Sequence, residues 1–526
     1  MEFERGHVRV FVSAILSLYV LHAVFQFGSA GAQSQNDTVW PTRGWLTSIP
    51  EDQGMDSSEL ASLVAFGANH SFDSLLVVRH GRIIAEAYYA PYRADIPHEI
   101  YSCTKAVIST LVGTMYKEGL LDSVDHPVMD FFADRRFASV DERKKAITVQ
   151  NLLDMTSGFD WDQGFEDGKE QTLHEMEQSA DWTQFILDRP MAHAPGELFN
   201  YVDGNPILLS AITTKLTGKL AEDYAKEKLF DPLGIATWHW GRDPQGLTMG
   251  AWTLSLLPRD MAKIGYLYLQ HGEWEGRRIL PAGWADVLSH KTVNMHASYD
   301  PNQRYSDLFW VFPGGRAFMA VGLHGQLIAV FPDLDVLAVV TARKFVSFFA
   351  LIEGIYAAAK SDSALPPDPR AAELLANAVK DAVVEKASPV GPTPEIASAI
   401  SGRAYKFSDN GLGLKSLTLF LTDPRPRVEF EIDAHDASHP PVKHEAPIGL
   451  DGLYREGPPV VSGDKMHRIP ISKGTWSNEQ TFVIESQDLG LGGQRKTVLS
   501  FSGDKLNLRH TDEWGGEVSI NGKLGD

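Results

Sequence analysis

Ser102 and Lys105 stand three positions apart in the run Ser102-Cys103-Thr104-Lys105. On a helix that spacing puts two side chains on one face, one turn from each other. The residues that follow, Ala106 to Val112, are small and apolar, which predicts a buried helix opening at Ser102. At such an opening the unpaired backbone N–H groups and the helix dipole favour developing negative charge. Lys105 is expected in a dry place, where desolvation disfavours its charged form. A desolvated lysine one turn from a hydroxyl is a way to make a nucleophile. The same spacing recurs at Ser462 to Lys465 and at Ser502 to Lys505, but both read Ser-Gly-Asp-Lys between strand-like runs. Gly and Asp there supply turn chemistry, so only the Ser102 copy opens an apolar helix.

A nucleophilic serine also needs a proton for the leaving group and a cradle for an oxyanion. Tyr201 is the candidate for the first. It lies in Pro195 to Pro206, a turn immediately before a helix, where a hydroxyl can be aimed into a cleft. For the second, the helix N-terminus supplies the N–H of Ser102. Met319 to Gln326 offers small residues and two glycines on a strand edge, which lets a ligand approach backbone. The second donor is the N–H of Val321 or Leu323, and His324 is a candidate substrate contact. Cys103, the only cysteine, reads as a small helix filler, and it excludes an intrachain disulfide.

The elements that must position these residues follow from pattern. Leu75 to Glu86 is two apolar runs around a Gly-containing turn, a hairpin signal. Thr148 caps a short helix from Val149 to Met155. Asp160 to Glu177 is polar and acidic and reads as a long loop. Helices are expected over 206–216, 221–229 and 260–270. Strands follow at 309–312, 318–321, 326–331 and 336–342. Strands at both ends with helices between them predict one sheet built from distant segments, with a helical block inserted. Residues 361–398 read as a proline-punctuated linker with one helix. From 399 to 526 the signal is all short strands, including 416–421, 427–432, 474–484, 497–501 and 505–509. This predicts a separate all-β domain, a sandwich or small barrel, with Trp476 in its core. Gly490, Gly492 and Gly493 complete no dinucleotide motif and read as a hairpin turn.

The chain has 526 residues, 43% of them hydrophobic, and a formal net charge of −20. That is enough for two or more domains with real cores. No Lys/Arg block is present, so nucleic acid is not an expected partner. Arg5 and Arg9 precede an apolar run from Val10 to Phe27, and Ala30-Gly31-Ala32 offers a cleavage site. These three parts predict a signal peptide over 1–32 and a secreted or periplasmic protein with no stable anchor after cleavage. The alternative is a membrane anchor formed by residues 10–27.

In order, the S-x-x-K run, the Tyr201-Val202-Asp203 turn and the glycine-containing strand resemble the serine β-lactamase and penicillin-binding-protein family. Within it they look most like class C-type esterases and amidases, the 6-aminohexanoate-dimer hydrolase group in particular. Ile100-Tyr101-Ser102, Leu152 to Gly158, Pro195-Gly196, Leu257 to Gly265 and Phe318 to Gln326 carry the likeness over about residues 45 to 345.

The resemblance implies an α/β (α+β) fold over 40–360: a central antiparallel sheet with flanking helices and a helical subdomain. A lipocalin-like C-terminal β domain is also implied. It implies Ser102 as the acylated nucleophile, with Lys105 taking its proton or holding Tyr201 as phenolate. Tyr201 then protonates the leaving group and later activates water. No metal or cofactor is implied, and the partner is a small ester, amide or peptide-like substrate.

Two departures bear on the substrate. Asp203 stands where the second motif usually ends in Asn; an anion there alters the field at Tyr201 and favours a substrate bearing an amine. Ala320-Val321-Gly322 replaces the usual Lys-Thr-Gly or His-x-Gly, so a cation for a β-lactam carboxylate is missing. The expected activity is therefore hydrolysis of an ester or amide through an acyl-serine. The alternatives are a β-lactamase or D-amino-acid peptidase, and a non-hydrolytic penicillin-recognising sensor.

Overall fold

The computed structural model describes residues 38, 40–163, 170–296, 301–312, 314–345, 347–433, 441–461, 467–512 and 515–525. The targeting segment at the N-terminus and the Ser462 to Lys465 run lie outside the described residues.

Alternating apolar runs build the first sheet. Its nine strands are ordered Leu46–Thr47, Arg82–Tyr88, Phe72–Arg79, Val336–Ala342, Gln326–Phe331, Phe318–Gly322, Phe309–Val311, Arg304–Ser306 and Val293–Asn294. All neighbours are antiparallel except the first pair. The N-terminal hairpin thus pairs directly with a strand near residue 340, as expected for a sheet assembled from distant segments. Because successive side chains point to opposite faces, one run feeds two cores. Leu76, Val78, Ile328, Val330, Leu337 and Val339 enter the core shared with the helical block. Leu75, Val77, Leu327, Ala329, Ala338 and Val340 enter the core under Ser57–Asn69 and Phe348–Ala358. Fully burying each such side chain is worth about 1.5–3 kcal/mol.

The helical block lies between the strands in sequence. Thr104–Lys117 is buried from Thr104 to Met115. Thr148 and Asn151 form a reciprocal capping box on Val149–Leu153, a cap worth about 1 kcal/mol. Pro258–Leu269 packs on the sheet strands Gln326–Phe331 and Val336–Ala342. The segment read as a loop over 160–177 is not loop throughout: Gln171–Glu177 is helical, with Thr172, Leu173 and Met176 buried. Two buried apolar side chains, Leu173 and Met176, and the buried Thr172 hydroxyl, which accepts from Asp162 N at 3.0 Å, outweigh the polar composition that suggested a loop. Residues 164–169 of that segment lie outside the described set.

The helix between the prolines runs Pro369–Ala382 and packs on Ser57–Asn69. Beyond it an eleven-stranded sheet forms the C-terminal domain. Its strand Val442–Pro447 approaches His467–Asn478, so the sheet curls into a barrel-like form around Trp476, Phe482, Leu499, Phe501 and Leu506. The expected strand 474–484 is instead the tip of a hairpin, His467–Asn478 and Thr481–Leu489. The Asn478 side chain accepts from Gln480 N at 2.9 Å, a local turn bond that breaks an otherwise strand-like run. Among the described residues no helix is long and apolar enough to cross a membrane.

Candidate active site

Ser102 sits in a one-turn segment, Tyr101–Cys103, that runs into the helix Thr104–Lys117. The residue before it, Tyr101, has φ 46°, a left-handed conformation that costs a side-chain-bearing residue about 1 kcal/mol or more. The bend throws Ser102 out at the start of the helix while Lys105 is drawn fully into the core.

The Lys105 Nζ lies 2.7 Å from Ser102 Oγ and 2.9 Å from the carbonyl oxygen of Ala251, donating to both. It also pairs with Asp203 Oδ1 at 2.7 Å. Asp203 opens the helix Gly204–Thr217 but makes no side-chain cap there; its carboxylate turns to Lys105 instead. Its other oxygen, Oδ2, accepts from Gln163 Nε2 at 2.7 Å, and Gln163 in turn accepts from Trp161 Nε1 at 2.9 Å.

Tyr201 completes the group. Asn200, beside it, is tied to Met155 O at 2.8 Å and Trp161 O at 2.9 Å, so the Leu152 to Gly158 run holds the tyrosine loop. The Tyr201 hydroxyl shares hydrogen bonds with Ser102 and Lys105, and the Lys105 Nζ stands 5.0 Å from its ring centre. Tyr305 and Trp310 pack on the same ring at 6.3 and 6.5 Å.

This geometry corrects the expected protonation state. Burial does push the Lys105 ammonium down, but the Asp203 carboxylate and Tyr201 outweigh it and hold the lysine above its ordinary value. Lys105 therefore rests as a cation. Burial, with Asp203 adding to it, holds Tyr201 above the ordinary phenol value despite Lys105 and Ser102 pulling it back. The resting site is ammonium, carboxylate and neutral phenol. Asp203 is also corrected: its charge is committed to Lys105 and Gln163, so it is not free to receive a substrate amine.

Gly322 ends the strand Phe318–Gly322, and a Cβ there would meet Ile100 O at 2.3 Å. Only glycine lets this strand come so close to the backbone that carries Ser102. Pairing with Phe309–Val311 stops at Met319, so past that point this edge faces the serine segment. The Val321 side chain points to the opposite core. His324 has φ 60° and meets Tyr101 edge-on at 5.3 Å. Burial and the nearby His98 push its pKa down to about 4, so it is neutral. Burial holds the Cys103 thiol up and protonated.

A cavity of about 950 Å³ lies away from Ser102. It adjoins the tyrosine loop at Gly196 to Phe199 and is lined by Gln150, Asp154, His290 and Asp307 among others. Sequence reading missed this cluster, and it missed Gln163, Ala251 and Tyr305. No motif spacing marks them, because each reaches its cluster only through the fold. Among the described residues no group of His, Cys, Asp and Glu could hold a metal ion.

The Beta-lactamase family profile matches residues 63–361. The chain belongs to the beta-lactamase family. A 6-aminohexanoate-dimer hydrolase of Paenarthrobacter ureafaciens is 23% identical over 292 residues, which is 50% of this chain and 70% of that protein. Two solved structures are similar in part. A penicillin-binding protein homologue from Caulobacter crescentus has 15% identity and a TM-score of 0.45, covering 64% of this chain and 99% of its own. The octameric penicillin-binding protein homologue from Pyrococcus abyssi has 15% identity and a TM-score of 0.44, covering 88% and 99%.

Proposed function

We propose that this beta-lactamase family member is a serine hydrolase that cleaves an ester or amide through an acyl-Ser102 intermediate. The observation that carries the reading is Lys105 held 2.7 Å from Ser102 Oγ inside a buried ion pair with Asp203, with Tyr201 bonded to the same pair. A surface helix start has no use for a buried cation pressed against a serine hydroxyl.

In this reading Ser102 Oγ attacks the substrate carbonyl carbon and the carbonyl oxygen becomes an oxyanion. It is met by the N–H of Ser102 and one from the strand edge at Val321 to Leu323. The ammonium Lys105 has no lone pair. The serine proton therefore leaves to Tyr201 after the phenol has lost its own proton to solvent, leaving a phenolate beside the cation, or to Lys105 after that residue has passed a proton to Asp203. On collapse the carbonyl re-forms, the bond to the leaving oxygen or nitrogen breaks, and Tyr201 protonates it. Water then gives a proton to Tyr201 and attacks the acyl carbon, and Ser102 leaves with a proton. An ester or amide is favoured over a β-lactam because Ala320-Val321-Gly322 brings no cation for a ring carboxylate. The name of the Paenarthrobacter relative, a hydrolase of a 6-aminohexanoate dimer, fits the same class. The N-terminal segment supports a secreted or periplasmic location.

Intact mass after brief incubation with p-nitrophenyl acetate, and separately with a β-lactam, tests this on the wild type and on Ser102→Ala. An acetyl adduct or turnover that Ser102→Ala abolishes is expected with the ester. Stable labelling by the β-lactam without turnover would replace the hydrolase with a sensor. No Ser102-dependent reaction with either would overturn the proposal.

A further inference from the structure

The turn Leu489 to Gln494 belongs to the C-terminal barrel, yet it packs on the segment that leads into Ser102. The carbonyl of Gly490 accepts from Glu99 N at 2.7 Å, three residues before the serine. A Cβ on Gly490 would meet Pro97 O at 2.3 Å, so the two backbones lie in direct contact. Gly493 N donates to Arg343 O at 2.9 Å, and Arg343 pairs with Asp73 at 3.1 Å. Asp73 in turn meets the buried His98 at 3.1 Å. Below the turn, Leu489 and Ile471 of the barrel share an apolar cluster with Tyr92 and Ile96. The turn is therefore anchored, not resting.

Its tip reaches the site through one ring. A Cβ on Gly492 would lie 2.3 to 2.6 Å from three atoms of His324, so the turn backbone lies directly against that side chain. The other side of that contact is Tyr101, edge-on to His324 at 5.3 Å. Both residues hold left-handed backbone, φ 60° and 46°. Such conformations persist only where surroundings over-determine them. Here they flank the nucleophile: Tyr101 precedes Ser102, and His324 follows the strand edge at Gly322.

We infer that the C-terminal β domain is part of the active-site machinery, and that its Gly490–Gly493 turn is a positioning element which, through His324 and Tyr101, sets the place of Ser102 against the strand edge. This rests on the acyl-serine reading above. It assigns the β domain a purpose and gives His324 a role as a spacer in place of a substrate contact. It also explains the glycine at 492, where the turn needs no positive φ and the constraint is contact alone.

The test is the rate of Ser102 acylation by p-nitrophenyl acetate in the full-length protein, with melting temperature measured alongside. Gly492→Ala adds a methyl against His324. Acylation at saturating ester is expected to fall about tenfold to a hundredfold, since misplacement on the order of 1 Å costs that much, with the half-saturating ester concentration unchanged and any fall in melting temperature no larger than that of the control below. Gly474→Ala is the control. Its methyl meets Phe482 at 2.4 Å inside the barrel, so it is expected to lower the melting temperature and leave acylation as in the wild type. His324→Ala, which removes bulk and introduces no close contact, is expected to acylate slowly with little loss of stability. In the double variant the methyl occupies the vacated ring space, so its rate matches His324→Ala alone, a non-additive result. Wild-type acylation in Gly492→Ala, or a slowing that tracks melting temperature as in Gly474→Ala, would overturn the inference and leave the hydrolase reading intact. A wild type with no Ser102-dependent acylation would overturn both.

Discussion

Two polar clusters lie close to the buried Tyr305, and burial has different consequences in them. At the serine, one cation faces one carboxylate, and Gln163 donates to the carboxylate's free oxygen. In the neighbouring cavity, two carboxylates face each other. Gln150 Nε2 donates to Asp154 Oδ2 at 3.0 Å and to Asp307 Oδ1 at 2.9 Å, and His290 bonds Asp307. Opposite charges keep Lys105 ionised in a dry place. Like charges do the reverse: burial and Asp307 push Asp154 up to about 7. The His290 bond and charge outweigh burial and hold Asp307 below the ordinary carboxylate value. Neighbouring opposite charge therefore overturns the effect of burial at Lys105 and Asp307, while at Asp154 a like charge adds to it.

The largest effect should come from breaking the first cluster. Asp203→Asn leaves Lys105 buried without a counter-ion, a loss on the order of 3 kcal/mol at neutral pH. The sign is fixed by linkage. In the wild type Lys105 lies above its unfolded value, so its contribution is fully present below that value and is lost as pH rises through the folded one. In the variant burial dominates and the folded value drops below the unfolded one. The stability gap between the two proteins should thus be widest at neutral pH and close in alkaline solution. Urea unfolding at several pH values measures it. An equal gap at all pH values would mean the pair contributes no charge stabilisation. Asn restores the residue usual in the family, so acylation should persist, with its pH profile moved toward acid.

The second cluster predicts a smaller effect of opposite sense. Asp154 has a raised pKa, so its contribution is present below the ordinary carboxylate value and lost as pH climbs through about 7. His290, raised chiefly by its bond to Asp307, loses stability with rising pH in the same direction. Asp154→Asn keeps the oxygen that accepts from Asp307 N at 3.1 Å and cannot ionise. It should match the wild type near pH 3 and exceed it by about 1–2 kcal/mol near pH 8, the gap opening between about pH 4 and about 7. Thermal unfolding across that range checks this, and parallel wild-type and variant curves would remove Asp154 as the titrating group.

How much of this was legible in the sequence differs between the clusters for a physical reason. Ser102 and Lys105 were visible because one helical turn joins them, and Tyr201 because its turn chemistry and family motif are local. The sheet was legible from period-two runs such as Leu75 to Val78, even to the pairing of distant ends. Lys105 was expected in a dry place, where it lies, but the neighbour that offsets the burial was not foreseen. That counter-ion opens a different helix, and an aspartate at a helix start reads as a cap until its side chain is seen turning elsewhere. Asp154 and Asp307 meet only through tertiary packing, so nothing in their spacing announces a shared proton. The turn after Asn478 was hidden by strong β formers on both sides, Trp476 and Phe482.

The smallest expected effect is the most informative about mechanism. Gln163→Met removes the donor to Asp203 Oδ2 and leaves Trp161 Nε1 without its acceptor, a loss of about 1–2 kcal/mol in unfolding free energy. The Lys105–Asp203 pair itself survives, so the resting charges do not change. What changes is that the Asp203 carboxylate loses one of the hydrogen bonds it accepts. If the Ser102 proton leaves through Lys105 after a transfer to Asp203, that transfer becomes easier and acylation should accelerate. If it leaves through Tyr201, acylation should stay within about twofold of the wild type, a change below 0.5 kcal/mol in barrier by transition-state arithmetic. The measurement separates the routes because each must first remove a proton from a group that holds it: Lys105 is kept as a cation, and Tyr201, which shares hydrogen bonds with Ser102 and with that cation, is kept as a neutral phenol. A measured acceleration would make Asp203 the proton store of the site, and its departure from the family's usual asparagine would then be a change of mechanism and not of substrate.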